Sequence, residues 1–554
     1  MAEIKSYRKR LQALNSEFDS FLPLFKELCD YHLANSGRFL VSDRNKGYKR
    51  NTKQINNTSR LAVRTAASGL HAGMTSPSRP WFRLSSGNTQ LDNVAAVKAW
   101  LFDVQSLMYN VFSKSNFYNS VHSNYSELVT FGVGAIGIYE DFENVIHCQP
   151  YPIGSYRLAT NGKNIVDVFY REYDITVNQC VSQFGYEKCS QSVQKQFNDG
   201  NTENWVTIVH LIEPNDNRDQ ISPLAKDKKF RAVYFENTSG NNATKFLRES
   251  GHDEFPIMAP RWDVIGEDVY ATDCPGMTAL GDTKALQLGE KRLYQALDKV
   301  VSPPLQGPAG MRNKLPNGSP RNDEIIWTDN ATDKLSSIYD FRPDLNAMMA
   351  VNEKAEFRIK KAFYEDLFLM LSDTDRREIT AREVAEKHEE KLLALGPVLE
   401  RLNTELLNPT VNRVFNILQR NGVLPTPPEE LRGKELNVEY VSVLAQAQRM
   451  VSTGSVERVA QFAMDLAQVW PESRHKIDAA QAIDDYAESI GINPAIIRSD
   501  DQVAAMVEQE RQQQQQAQMM AMAQQAAETA KAAGQASVNE DTALGQMAQR
   551  AGVV

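Results

Sequence analysis

The segment GVGAIG at positions 132–137 has the GxGxxG spacing of a dinucleotide-binding loop. Such a loop needs a strand before it and a helix that begins on it, because the helix N-terminus must meet the pyrophosphate. In this sequence the residues before Gly132 have a helical pattern, and Ile138 and Tyr139 continue as a strand. The segment therefore predicts a flexible turn from helix to strand and no dinucleotide site.

Histidines and cysteines are placed poorly for zinc chemistry. His388 is followed by two glutamates but has no second histidine four residues later, so the HExxH metal helix is absent. Cys180 and Cys189 have no second pair that would complete a structural zinc site. The 5 cysteines of the chain are an odd and widely spread set, which is typical of reduced thiols rather than of a disulfide framework. The sequence thus predicts no metal site.

One short polar run contains several carboxylates. Asp373, Asp375 and Glu378 lie close together in the chain, but Arg376 and Arg377 between them favour a self-neutralising exposed loop over a metal site. Elsewhere the chain has neither a GxSxG nucleophile motif nor a Walker A phosphate loop. These patterns predict no catalytic residues and no cofactor, and they argue against an NTP-driven motor of the common type.

Charge is unevenly distributed over the 554 residues, whose net charge is −9. An acidic total argues against a protein that coats DNA, because that task needs a net basic face. Residues 1–83 nevertheless carry 15 Lys and Arg against 6 Asp and Glu. This basic segment is either a solvated face or a contact to nucleic acid or an acidic neighbour, and the sequence leaves both open.

No targeting or membrane-spanning segment is predicted. The basic stretch near the start of the chain has no apolar region after it, so it does not match a secretory signal. No window approaches about 18 consecutive apolar residues, which excludes a transmembrane helix. We expect a protein that is made and folded in a cytoplasm.

The first half of the chain combines helices with short strands. Apolar residues at helical spacing predict an amphipathic helix near the N-terminus, with a kink at Pro23. Further on, β-branched and aromatic residues between turn signals predict strands. The predicted elements are helices at 93–111 and 119–131 and strands at 135–139, 165–173, 206–212 and 231–236.

The second half has the pattern of long helices around a non-helical insertion. An apolar stripe predicts a helix from Pro275, and the prolines at 303 and 304 end it, because proline interrupts helical hydrogen bonding. A second long helix resumes after Pro343. The remaining predictions are a strand at 324–328, a helix at 380–419, three short helices in 440–500, and a Gln/Ala-rich segment at 502–554 that is either helical or disordered.

Five ordered blocks carry a family resemblance. They are SPSRPWFRL at 76–84, FGVG at 131–134, APRW at 259–262 leading to CPG at 274–276, LGPVLERL at 395–402 with ELL at 405–407, and VEYVSVLAQAQ at 438–448. In this order the chain resembles the head-to-tail connector, or portal, proteins of short-tailed (podovirus-type) tailed bacteriophages. The segment YATDCP at 270–275 departs from the Tyr-Gly-type sequence of the family, and we expect a changed loop there with unchanged function.

The resemblance implies an α+β, mostly helical portal fold with wing, stem, clip and crown regions and a C-terminal helical barrel segment. The implied regions are a wing at 1–275 with its β-rich part at 135–260, stem helices at 276–301 and 345–371, a clip at 302–344, a tunnel loop at 372–379, a long wing helix at 380–430, a crown at 431–501, and a barrel helix or tail at 502–554.

The resemblance also implies a function. It implies a ring of twelve copies at one capsid vertex of the virion, through whose channel double-stranded DNA is packaged and ejected. The implied partners are tail adaptor proteins at the clip, the terminase motor during packaging, and major capsid and scaffold proteins at the wing, without a membrane. Such a ring is assembled in the host cytoplasm and is a conduit rather than an enzyme.

A channel through which DNA slides should not hold phosphates tightly, because each neutralised phosphate adds salt-dependent affinity. An acidic wall with a few positive rings would repel the DNA backbone and keep it centred. For each candidate the alternative is an ordinary solvated position or a salt bridge between subunits. The candidates for the channel wall are Lys291, Arg292, Lys299, Lys360, Lys361, Asp373, Asp375, Arg376 and Arg377.

Two other classes of protein explain fewer of these features. A non-enzymatic capsid scaffold or assembly protein would explain the Gln/Ala-rich segment, but not the β-rich part at 135–260 or the Pro-rich insertion. An ATP-driven packaging motor would need the phosphate loop that the sequence lacks. The ring conduit therefore remains the favoured hypothesis.

Overall fold

The computed structural model describes most of the chain, which divides into two compact units. The first unit comprises residues 1–454 and the second residues 455–554, of which 500–535 are described. The described ranges are 2–43, 53–92, 94–222, 224–237, 245–301, 305–306, 336–337, 343–372, 395–431, 437–441 and 500–535.

Helices dominate the described part of the first unit. They are α1 (Ala2–Tyr31), α2 (Thr58–Met74), α3 (Thr89–Asp92), α4 (Ala95–Lys114), α5 (Phe117–Phe131), α6 (Val177–Phe184), α7 (Gln191–Asn198), α8 (Pro275–Val301), α9 (Leu345–Ala362), α10 (Glu365–Ser372) and α11 (Asn408–Arg420). A π turn at Asn403–Leu407 and helical residues 395–402 precede α11. In the second unit, α12 spans Asp500–Gln535.

Short strands form four antiparallel sheets within the described ranges. The strands are β1 (Phe82–Ser85), β2 (Ala135–Asp141), β3 (Val145–Tyr151), β4 (Tyr156–Thr160), β5 (Val166–Thr176), β6 (Trp205–Pro214), β7 (Phe230–Glu236), β8 (Arg248–His252), β9 (Ile257–Met258), β10 (Leu305–Gln306), β11 (Ser336–Ser337) and β12 (Asn437–Tyr440). The largest sheet has the order β4-β5-β6-β7-β8 and therefore needs only connections between neighbours. The others have the orders β3-β2-β9, β1-β12 and β10-β11.

Alternating apolar residues place the five-stranded sheet between two helical layers. On β6, Val209 and Leu211 belong to a core shared with the first half of α1. Val206 and Ile208, which point to the other face, pack with α6 and α7. Because both of its faces are covered, the central strand β6 is buried without interruption from Ile208 to Ile212.

The main helical core centres on an aromatic cluster next to β1. Trp81 is 1% exposed, and its ring stacks on that of Phe117 with 6.1 Å between the centroids. The Tyr109 hydroxyl accepts hydrogen bonds from the backbone N–H groups of Trp81 and Phe82 at 2.8 and 2.9 Å. The block at 76–84 therefore owes its aromatic residues to the packing of β1 against α4 and α5.

Most of the predicted elements are confirmed, and so is the mostly helical α+β class. The four predicted strands correspond to β2, β5, β6 and β7, and the two helices before them to α4 and α5. The predicted turn from helix to strand lies at 132–134, because Gly132 ends α5 with a φ of 76° and β2 already begins at Ala135. The first helix continues through Pro23 to Tyr31.

The prediction of one continuous helix after Pro343 is wrong. Helix α9 ends at Ala362 and α10 begins at Glu365, with Tyr364 between them at a φ of 53°. A left-handed residue other than glycine costs about 1–2 kcal/mol. Phe363 and Phe368 on either side of Tyr364 are fully buried, and their packing offsets this cost.

Several predictions concern residues outside the described ranges. They are the strand at 324–328, the helix at 380–394, the helices in 442–499 and the segment 536–554. Of the Gln/Ala-rich segment, the part that belongs to α12 is helical. Within the described ranges, none of the helices combines the length and the apolar character needed to cross a membrane.

Candidate functional site

Helices α8 and α9 lie side by side and antiparallel. The Asp282 carboxylate accepts a hydrogen bond from Arg358 Nε at 2.9 Å, and the Glu290 carboxylate accepts one from Asn352 Nδ2 at 3.2 Å. Later residues of α8 therefore meet earlier residues of α9. The hydrogen bond to Asp282 raises the pKa of Arg358. Gly289 permits the close approach, because a Cβ atom there would overlap the Asn352 amide.

A polar cluster joins this helix pair to the segment before α2. Gln287 Oε1 accepts hydrogen bonds from the backbone N–H groups of Ile55 and Asn56 at 2.5 and 2.8 Å. Asn56 Nδ2 in turn donates to Glu356 Oε1 at 2.7 Å. Gln287 is buried, so these bonds replace the water that its amide loses. Sequence reasoning missed this cluster, since no spacing pattern relates residues 231 and 300 positions apart.

The insertion between α8 and α9 leaves and returns at the same end of the helix pair. Leu305 on β10 pairs with Ser337 on β11, and Gln306 pairs with Ser336. These two short strands lie just after α8 and before α9. The helix–insertion–helix pattern expected from the sequence is therefore present in the described residues.

The apolar face of α8 is buried in the first half of the helix and exposed in the second. Ala279, Thr283 and Leu286 are buried against the first unit. Successive residues of a helix are rotated by about 100° around its axis. By this measure a sector of α8 about 80° wide contains the three buried residues and, further along the helix, three exposed ones. We call these residues the exposed stripe: Tyr294, Leu297 and Val301, which are 59%, 44% and 74% exposed. A contiguous apolar surface of this kind marks an interaction site.

Cationic side chains occupy the opposite side of α8. Arg292 and Lys299 project roughly 180° away from the exposed stripe, and Lys291 lies between the two directions. All three residues are exposed. The distal half of α8 thus presents an apolar side and a basic side.

Two further cations lie at a different level of the helix pair. Lys360 and Lys361, near the end of α9, are exposed and level with the start of α8, because the helices are antiparallel. About ten residues of α8, or roughly 15 Å, separate that level from Lys291. The structure therefore brings the described candidates to two levels and not to one cluster. Asp373, Asp375, Arg376 and Arg377 lie outside the described residues.

The structure also brings together the two cysteines that the sequence treats as unconnected. The Sγ atoms of Cys180 and Cys189 are 3.8 Å apart, and the carboxylate of Glu236 is next to them. In the sequence, only the spacing of the two cysteines along the chain is visible. That spacing carries no signal for Glu236, which reaches the two cysteines from the end of β7.

Comparisons with known proteins agree with the sequence blocks. Residues 4–497 match the family described as bacteriophage head to tail connecting protein. The chain is 42% identical to the portal protein of Salmonella phage epsilon15, over 100% of this chain and 99% of that protein. It is 41% identical to the probable portal protein of Bordetella phage BPP-1, over 98% of this chain and 97% of that protein.

Among solved structures, a chain of the virion of a native gene transfer agent particle aligns with a TM-score of 0.32 at 9% identity, over 83% of this chain and 97% of that chain. Nothing further rests on so distant a likeness. The sequence relatives and the matched residues define the class, which is that of phage connectors. The chain belongs to the family of bacteriophage head to tail connecting proteins.

Proposed function

We propose that this chain is the subunit of a portal ring of twelve copies at one capsid vertex of a phage virion. Double-stranded DNA passes through the channel of the ring during packaging and ejection. The observation that carries the proposal is the 42% identity to a phage portal protein over the whole chain. A capsid scaffold is not favoured, since the two relatives bear the name of portal proteins.

The α8–α9 pair is the proposed stem of the subunit, at 276–301 and 345–371. The exposed stripe supports this assignment, because an apolar face that the described part of its own chain leaves in water would be covered when a second copy packs on it. In a ring, the cations of the pair would form positive rings at two levels of the channel wall. Positive rings in an otherwise acidic channel centre the DNA without holding it tightly.

The other regions follow the same proposal. Residues 302–344 form the clip, where tail adaptor proteins and the terminase motor dock, and the paired strands β10 and β11 support a compact base for it. The wing at 1–275 and 380–430 meets the major capsid and scaffold proteins. The tunnel loop, the crown and the barrel are assigned to 372–379, 431–501 and 502–554. The ring acts as a conduit and not as an enzyme, and it is assembled in the host cytoplasm.

The mass and symmetry of the purified protein test the proposal. Twelve chains of 62.3 kDa make a ring of about 0.75 MDa, which light scattering measures and electron microscopy resolves. We expect rings of twelve-fold symmetry without ATP hydrolysis. A monomer or dimer at every concentration, with no rings in micrographs, would contradict the proposal.

A substitution in the exposed stripe tests the role of the helix pair. Leu297→Asp places a charge where the neighbouring copy is proposed to pack, so we expect dissociated subunits. The matched control is Ile221→Asp, because Ile221 is apolar and 93% exposed but lies far along the chain from the helix pair. Rings that persist in the Leu297 variant would refute the stem assignment while leaving the family assignment intact.

A further inference from the structure

Two cysteines and a glutamate meet between the five-stranded sheet and the short helices that cover it. Cys180 lies on α6, Cys189 lies in the turn before α7, and Glu236 is the last residue of β7. Their exposed fractions are 0%, 6% and 2%. A carboxylate and two thiols are thus enclosed together in an otherwise apolar core, remote in sequence from the α8–α9 pair.

The distances match one edge of a zinc site. The two Sγ atoms are 3.8 Å apart, and both lie within 4.8 Å of a carboxylate oxygen of Glu236. Two sulfurs that each lie about 2.3 Å from a tetrahedral zinc ion are about 3.8 Å apart. A disulfide would instead bring the sulfurs to about 2.05 Å. The pair is therefore spaced like two ligands of one ion.

One carboxylate oxygen of Glu236 is available as a ligand. Its Oε1 atom accepts a hydrogen bond from the backbone N–H of Ser190 at 2.8 Å. Its buried Oε2 atom has no hydrogen-bond partner among the described residues. A buried carboxylate oxygen without a partner costs free energy, and coordination of a cation removes that cost.

Local hydrogen bonds hold the three ligands in place. Gly185, with a φ of 91°, ends α6 and turns the chain so that Cys189 returns to Cys180. Gln194 Nε2 donates to the backbone carbonyl of Cys189 at 3.1 Å, and the Ser190 N–H orients the glutamate. Such outer contacts are what fix the geometry and affinity of metal sites.

We propose that Cys180, Cys189 and Glu236 bind one zinc ion, or a divalent cation of the same soft class, with water at the fourth position. Thiolate ligands select zinc over magnesium or calcium, which prefer oxygen. Two thiolates balance the charge of a divalent ion, and the carboxylate adds one further negative charge. The ion would clamp the α6–α7 segment to β7. This proposal departs from the sequence expectation of no metal site, and it does not depend on ring assembly.

Metal content of the full-length protein tests the site. The protein is reduced, stripped with EDTA, desalted and dialysed against zinc, and its zinc is measured by mass spectrometry. We expect one zinc ion per chain, and a cobalt-loaded sample should show the absorption band of a cobalt–thiolate bond. Cys180→Ser and Cys189→Ser should each lose the stoichiometric ion. Glu236→Gln, which retains an acceptor for the Ser190 N–H, should lower the zinc occupancy.

The control variant is Cys29→Ser, because Cys29 is also buried but lies on α1, outside the cluster, where its thiol donates to the Leu33 carbonyl at 3.4 Å. It should keep the full zinc content. X-ray absorption at the zinc edge of the unmodified protein avoids any folding defect of a variant, and we expect a first shell of two sulfurs and two lighter atoms. A shell without sulfur, less than stoichiometric zinc in the reduced protein, or a Cys180–Cys189 disulfide that reforms in the presence of zinc would overturn the proposal.

Discussion

The carboxylate of Glu405 accepts hydrogen bonds from both the backbone and the guanidinium group of Arg261. The backbone N–H of Arg261 lies 2.9 Å from Oε2, and Nη2 lies 2.7 Å from Oε1. Arg261 is 2% exposed. The pair joins the block APRW before α8 to the block ELL in the π turn before α11, 144 positions later. Two of the blocks that carry the family resemblance are thus two sides of one buried contact.

The substitution Glu405→Gln tests how much this contact contributes to the stability of the folded protein. The variant retains the shape of the side chain but leaves the Arg261 charge unneutralised in a buried position. Loss of one partner from a buried ion pair costs about 3–5 kcal/mol, and partial exposure of Glu405 places this pair near the lower end. We expect a clearly lower melting temperature of the purified protein by circular dichroism.

The exposed pair between Asp282 and Arg358 is the control for this experiment. Asp282→Asn removes the charge of a carboxylate whose partner is 55% exposed, so solvent screening leaves little to lose. An equal fall of the melting temperature in both variants would mean that burial does not distinguish the two pairs.

At two glycines of α8 we expect substitution by alanine to have opposite effects on stability. A Cβ atom at Gly276 would overlap the carbonyl oxygen of Thr130 on α5, whereas one at Gly281 would meet no atom within 4 Å. We expect Gly276→Ala to lower the melting temperature, because α8 must move away from α5. Gly281→Ala should raise the stability by about 0.5–1 kcal/mol, since alanine is the better helix former. Equal effects would show that α8 does not pack on α5 at Gly276.

The sequence predicted the elements better than their contacts. Periodicity located β5, β6, β7 and α8, because the apolar pattern of each element lies within one short window. It did not locate the break at Tyr364, since the residues on both sides retain a helical pattern and the break depends on how Phe363 and Phe368 pack in the core. Local patterns carry the propensity of a segment, and tertiary packing decides where the segment bends.

The candidate site shows the same division. The cations of α8 and α9 were found by residue type alone, and the structure then placed them on two levels by making the helices antiparallel. Glu236 could not be connected to Cys180 and Cys189 from spacing, because the connection arises from the position of β7 under α6 and α7. Contacts between distant segments require the fold itself.

From the burial of Glu127 we expect the protein to lose stability at alkaline pH. Burial raises the pKa of this carboxyl group from 4.5 to about 8, although the Ile153 N–H, which donates to it at 2.9 Å, acts in the opposite direction. At a pH between these two pKa values, the folded state therefore still holds a proton that the unfolded state has already released. The contribution of Glu127 to the stability of the fold is complete below about pH 4.5, and it is lost as the pH rises through about 8.

Glu127→Gln removes this titration and replaces the carboxyl group with an amide of similar shape that can accept and donate hydrogen bonds. We expect the variant to be less dependent on pH than the unmodified protein between pH 6 and about 8.5 when melting temperatures are compared. Glu140→Gln is the control, because Glu140 lies on β2 and is half exposed. A difference between variant and unmodified protein that stays constant over this range would refute the assignment.

His32 predicts the opposite behaviour on the acid side. Burial lowers the pKa of its imidazole from 6.5 to about 4. As the pH falls, the imidazole takes up a proton in the unfolded state before it does so in the folded state. The contribution of neutral His32 to stability is therefore complete above about pH 6.5 and is lost as the pH falls towards about 4. His32→Gln should flatten the fall of the melting temperature in this window. The exposed His147→Gln should leave the fall unchanged, and a parallel fall in the two variants would contradict the prediction.

From the exposure of helix α12 we expect the Gln/Ala-rich segment to be dispensable for ring assembly. All the side chains described between residues 506 and 525 are exposed, including Met519, Met520 and Met522 at 69–72%. A helix whose described apolar side chains remain exposed adds little to the stability of the subunit, and packing against identical neighbours would cover them. Removal of residues 502–554 should therefore leave rings of the same symmetry in electron micrographs, with a loss of helical signal in circular dichroism. A truncated protein that stays folded but forms no rings would show that the packing of this helix drives assembly.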